Sequence, residues 1–112
     1  MRILLSAALA MTLVAGAAEA RKTYSGQEAA ALRCAAILSL VPSAMARAGM
    51  IPQSDVRMFH TASSLILARY VTGTQDQKLK ALRAVMGRKD AEANIRDFQT
   101  KAKTCLRQFP LS

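Results

Sequence analysis

The chain has 112 residues, with 16 Lys plus Arg against seven Asp plus Glu, a formal charge of +9. That length holds one domain, and the charge favours anionic partners by long-range attraction without naming one. One His and two Cys, with no Cys-x-x-Cys, leave no zinc-site spacing and no haem-attachment motif, so no metal or cofactor is expected.

The first twenty residues follow the order of a secretory signal peptide. Arg2 is followed by an uncharged run from Ile3 to Ala18, then by Ala18-Glu19-Ala20 before Arg21. Small residues at −3 and −1 of a cleavage site complete that pattern. An alternative cleavage site follows Ala17. The competing reading is a membrane anchor, but an apolar run of about 16 residues spans about 24 Å, short of a ~30 Å hydrocarbon core. No cysteine follows the run closely enough for a lipid anchor. The expected domains are therefore 1-20, a signal peptide cleaved after Ala20, and 21-112, a single helical domain. No later stretch reads as apolar for long enough to span a membrane, so no transmembrane segment is expected in the mature chain. Cleavage removes Arg2 and Glu19 together, so the net charge is unchanged. The expected localisation is periplasmic or secreted. In such an oxidising compartment the even pair Cys34 and Cys105 reads as one intrachain disulfide.

The mature part is rich in Ala and poor in Val and Ile, which favours helices over strands. Ser25 and Glu28 have the spacing of a capping box and open a first helix. Its apolar stripe is Ala30, Cys34, Ile37 and Val41. Pro42 is expected either to kink this helix near Leu38 or to end it and start a short fifth helix, and Gly49 closes the section. A second helix follows Pro52 with Ser54 as N-cap, burying Val56, Phe59, Ala62, Ser63, Ile66 and Tyr70, and stops at Gly73. A third starts near Thr74, buries Leu79, Leu82, Val85 and Met86, and closes at Gly87. A fourth runs from about Asp90 to Pro110 and buries Ile95, Phe98, Ala102, Cys105 and Phe109. Short connections make neighbours antiparallel. The expected fold is thus all-α, a small antiparallel four-helix bundle. Its one disulfide joins helix 1 to helix 4, because Cys34 lies near the start of one and Cys105 near the end of the other.

No catalytic group is expected. His60 lacks a partnered acid or base, and only Ser63 and Ser64, at i+3 and i+4, are in reach along its helix. The carboxylates are scattered, and most sit at helix starts, where the macrodipole favours them. Met45, Met50 and Met58 read as adaptable core filler. The basic residues fall into two groups. Arg96, Lys103 and Arg107 share one side of the fourth helix, and Lys80, Arg83 and Arg88 lie on or just after the third. Lys101 stands between them, and together they form a candidate basic surface. The lack of aromatics interleaved with them, together with export, argues against nucleic acid. The expected function is an exported, non-enzymatic protein that binds a protein partner. The alternatives are an anionic lipid or lipopolysaccharide bound through the basic face, and a small ligand carried in a cavity at Pro42.

Overall fold

A computed structural model describes residues 22–111. The expected signal peptide and its expected cleavage site after Ala20 lie outside the described residues. Four helices follow one another with short connections: α1 (Gly26–Arg47), α2 (Gln53–Tyr70), α3 (Gln75–Met86) and α4 (Ala91–Gln108). No strand occurs among the described residues. The Cys34–Cys105 disulfide joins α1 to α4, with Cα atoms 5.5 Å apart. It suggests an oxidising, non-cytoplasmic environment.

Local chemistry sets most helix ends. Thr74 caps α3 in a full capping box: its hydroxyl accepts from the Gln77 N–H, and the Gln77 side chain accepts from the Thr74 N–H. Asp90 caps α4 by accepting from the Ala93 N–H at 2.8 Å. α1 ends in a Schellman motif. Gly49 has φ +74°, its N–H bonds the Ala46 carbonyl, and the Met50 N–H reaches back to Met45. Two expected starts differ. Ser25 does occupy the N-cap of α1, but its side chain makes no cap bond, and the Glu28 side chain, expected to close the box, accepts instead from the Thr72 hydroxyl at 2.9 Å. α2 begins at Gln53 with Pro52 in the N-cap position, two residues ahead of Ser54.

Of the two outcomes expected at Pro42, the ended helix with a short fifth one does not form. α1 runs unbroken through Pro42, which is fully buried. The proline ring holds a helical φ, so the penalty is the missing N–H beneath it. The neighbouring Ser39 carbonyl is bonded from outside the helix by His60 Nε2 at 2.6 Å. Beyond Pro42, buried Met45 and the Schellman end hold the last turns in place.

α1 is the hub, and each other helix packs mainly on it. Its burial is correspondingly wider than one stripe. Ala31, Leu32, Ala35, Ala36 and Leu38 are buried as well as Cys34, Ile37 and Val41. The small alanines let α2 approach closely, and Ser63 of α2 donates to the Ala35 carbonyl at 2.7 Å, satisfying a buried hydroxyl. α2 and α4 meet edge-to-face at Phe59–Phe98, and Tyr70 meets Phe109. The end of α2 is tied to the C-terminal segment by Tyr70 Oη, which donates to the Pro110 carbonyl at 2.7 Å. At the same end of the molecule, Tyr24 Oη donates to the Thr72 carbonyl at 2.8 Å. So the start of α1 lies beside the ends of α2 and α4, as antiparallel packing on α1 requires.

Three further sequence expectations need correcting, the first being Leu79, expected on the buried face of α3 but 39% exposed. α1 is long and apolar enough to cross a membrane, with a mean hydropathy of 1.6, whereas no such stretch was expected after residue 20. Just over half of that stretch, 56%, is buried inside the protein, as suits the central helix of a bundle. Of the three methionines expected in the core only Met45 is buried, while Met50 and Met58 are 49% and 57% exposed. Met50 lies in the connection beyond α1. Met58 falls on the outer side of α2, about 100° around from Phe59.

Candidate functional site

α3 has 12 residues, about 18 Å of helix, against the 22 residues and about 33 Å of α1. It therefore covers only part of α1, and a groove opens between α1, the end of α3 and α4. The groove encloses about 280 Å³. Its apolar surface comes from Ala30, Cys34 and Ile37 of α1, Val85 and Met86 of α3, and Cys105 of α4. The disulfide is thus part of its lining. Arg33, Arg88, Lys89 and Lys101 stand around it, with Asp97 the one acidic residue in the lining.

The wall formed by the α3–α4 connection is held firmly. Asn94 Nδ2 donates to the Met86 carbonyl at 3.2 Å, and Lys89 Nζ donates to Asp97 Oδ2 at 2.7 Å. Lys101 pairs with the other oxygen of Asp97 at 3.5 Å. The hydrogen bond from Lys89 holds the Asp97 carboxyl below its ordinary value; partial burial opposes this, and the Lys101 charge adds to it. Two of the groove cations therefore share one local carboxylate. The side chains of Arg33 and Arg88 have no ion-pair or hydrogen-bond partner among the described residues.

A second groove of about 280 Å³ lies beside the first, walled by Tyr24, Ala29, Leu32, Ala81 and Ala84. Arg33, Val85 and Arg88 line both. Lys22 stands at its edge, donating to the Thr72 hydroxyl at 2.7 Å and lying 5.4 Å from the centre of the Tyr24 ring. Burial raises the Tyr24 phenol above its ordinary value, and the Glu28 charge adds to this.

The basic residues singled out in the sequence divide between locations. Arg88 and Lys101 line the main groove. Lys80 pairs with Asp76 at 3.7 Å, both well exposed, and Arg83 is exposed on α3 away from the lining. Arg96, paired with Glu92 at 3.5 Å, shares the outer side of α4 with Lys103 and Arg107. At about 100° per residue, Lys103 points some 160° away from Lys101 around the helix. Sequence reasoning missed Arg33 and Lys89. Arg33 was within reach: it precedes Cys34 and stands one turn before Ile37, so the disulfide puts it on the α4 side. Nothing local in the sequence marks Lys89, which gains its position by reaching Asp97 across the turn.

His60 does not form a nucleophile–base pair. Its Nε2 lies 2.6 Å from the Ser39 carbonyl and 3.2 Å from Ser43 Oγ. A carbonyl only accepts, so Nε2 carries the proton and has no lone pair with which to take one from Ser43. Ser63 is turned to Ala35 rather than to His60. No group of three or more His, Cys, Asp or Glu side chains that could hold a metal is gathered among the described residues. The cavity expected at Pro42 is not what these two grooves are; both lie around Arg33. No family model, curated protein or solved structure matches this chain.

Proposed function

We propose that the protein is an exported, non-enzymatic binding protein that seats a segment of a partner protein in the groove over the disulfide. The observation that carries this reading is the combination of an apolar lining with four surrounding cations, two of them unpaired. Export is supported by the order of the first twenty residues and by the disulfide. The groove's size favours a protein segment over a carried small molecule. Its volume is just below the ~300–1,000 Å³ of ordinary small-ligand pockets. Such a space suits one or two anchoring side chains of a larger partner, the usual centre of a protein interface. α1 serves this reading as the core of the domain rather than as a membrane span.

The test is site-specific photo-crosslinking in the native compartment. A crosslinker at Thr104, which lines the groove, should capture a defined protein, and one at Met58, on the outer side of α2, should not. The capture at Thr104 should disappear when Arg88 is changed to Glu. Equal capture from both positions, or capture indifferent to Arg88→Glu, would refute the groove as the binding surface.

One observation favours a second reading. Lys103 and Arg107 have no ion-pair partner among the described residues and lie on the same outer side of α4 as Arg96, an arrangement suited to an anionic lipid or lipopolysaccharide surface. Vesicle flotation decides it. Binding that is equal for neutral and anionic vesicles, or insensitive to salt, removes this reading, because attraction between exposed charges is screened.

A further inference from the structure

Resting on the groove reading above, we infer that Arg33 and Arg88 form a carboxylate clamp, and that the bound segment carries an acidic side chain directly beside an aliphatic one. The two arginines come from different elements, α1 and the α3–α4 connection, and both line the main groove and its neighbour. They therefore stand where the two grooves meet. Neither is committed to a carboxylate of this chain, in contrast to Lys89 and Lys101, which share Asp97. A guanidinium presents a planar fork of donors that fits a carboxylate in bidentate fashion, which a lysine cannot do.

The apolar half of the site is only one helical step from the charged half. Ile37 follows Arg33 by one turn of α1, and such positions lie about 5–6 Å apart on a helix; just beyond α3 the Arg88 N–H bonds the Val85 carbonyl at 3.3 Å, which keeps those two residues together. A partner that fills both must present its carboxylate and its aliphatic group at a similar spacing, as neighbouring side chains do. The carboxylate supplies what the unpaired guanidiniums lack, and the aliphatic group covers the disulfide, Ile37 and Val85. A free inorganic anion satisfies only the first half. A lipid surface would draw first on Lys103 and Arg107, which face outward on α4 rather than into the groove.

Side-chain NMR of the disulfide-bonded protein tests this directly. The probes are N-acetyl-Glu-Leu-amide and its neutral isostere N-acetyl-Gln-Leu-amide, with acetate and inorganic phosphate as bare anions. The Glu probe should shift the Nε–H signals of Arg33 and Arg88 and the methyl signals of Ile37 and Val85 together, and saturate. The Gln probe should bind about tenfold more weakly or worse, the factor one lost charge-assisted hydrogen bond represents. Arg33→Gln and Arg88→Gln should each remove that discrimination, while Arg107→Gln, on the outer side of α4, should leave it intact. Arg33→Lys keeps the charge but not the fork and should restore it only in part. Circular dichroism checks that each variant keeps its helices.

Equal binding of the Glu and Gln probes at the methyl signals would overturn the clamp and leave the groove standing. Acetate or phosphate binding as tightly as the Glu probe would overturn the paired acidic–aliphatic ligand. An Arg107→Gln loss as large as that of Arg33→Gln would show attraction by net charge alone and overturn the clamp as well. Absence of any shift with either dipeptide also overturns it, and the crosslinking at Thr104 then judges the groove by itself. Flotation with phosphatidylglycerol vesicles forms the last arm. Binding there that depends on Arg33 and Arg88 would assign the clamp to a lipid headgroup and reject the acidic protein segment.

Discussion

Removing the disulfide is the most demanding perturbation of this fold. Cys34 and Cys105 close a loop with a sequence separation of 71, joining the start of α1 to the end of α4. In the chain-entropy account a loop of that length constrains the unfolded chain by about 4.4 kcal/mol at 25 °C. Native domains have a stability of only about 5–15 kcal/mol, so this is a large share. Both half-cystines are buried in the core cluster beside Ile37 and Phe109, so the serine variant also places two hydroxyls among apolar groups. Cys34→Ser with Cys105→Ser should therefore lower the stability by about 3–5 kcal/mol. For a domain of this size that corresponds to a fall in Tm of about 15–30 °C. Guanidinium unfolding of the oxidised protein, the reduced protein and the double serine variant measures it, with thiol titration of the non-reduced protein alongside. The reduced protein and the serine variant should agree within about 1–2 kcal/mol, since both lack the crosslink. Two titratable thiols in the non-reduced protein, or a variant within about 1 kcal/mol of the oxidised protein, would refute the reasoning.

Three smaller perturbations test separate features. Ser63→Ala removes the buried bond to the Ala35 carbonyl and should cost about 1 kcal/mol in urea unfolding, a net hydrogen bond's worth. Gly73→Ala should cost about 1–3 kcal/mol, because Gly73 has φ +110° and an added Cβ would stand 2.7 Å from the Tyr24 hydroxyl; the Tyr24 fluorescence should change with it. Asp97 has a folded value below its unfolded one, so its contribution is present above the ordinary carboxylate range and is lost as the pH falls through the lowered folded value. The drop in urea midpoint between about pH 6 and about pH 3 should accordingly be smaller in Asp97→Asn than in the parent protein.

Much of the architecture was legible because it rests on local rules. Thr74 and Asp90 announce their helices by side chains that bond the first free N–H groups, and Gly49 announces an end by adopting positive φ. The faces of α2 and α4 follow from helical periodicity, and Val56, Ile66, Phe98 and Phe109 are buried as that spacing requires. The failures come from contacts distant in the chain. Glu28 left its capping box for Thr72, 44 residues away. Pro42 stayed inside α1, fully buried by packing that its neighbours along the chain do not reveal.

The sequence by itself determined the helical class, the starts of α3 and α4 and the pairing of Cys34 with Cys105. Each of these depends on neighbours along the chain or on there being only two cysteines. Tertiary structure decided that α1 is the hub, since burial on three sides depends on how many helices surround it and not on its own periodicity. It also decided the groove. A 12-residue α3 laid against a 22-residue α1 leaves a gap, and only the packing of α4 across that gap brings Arg33 and Arg88 to one apolar surface while turning Lys103 and Arg107 away from it.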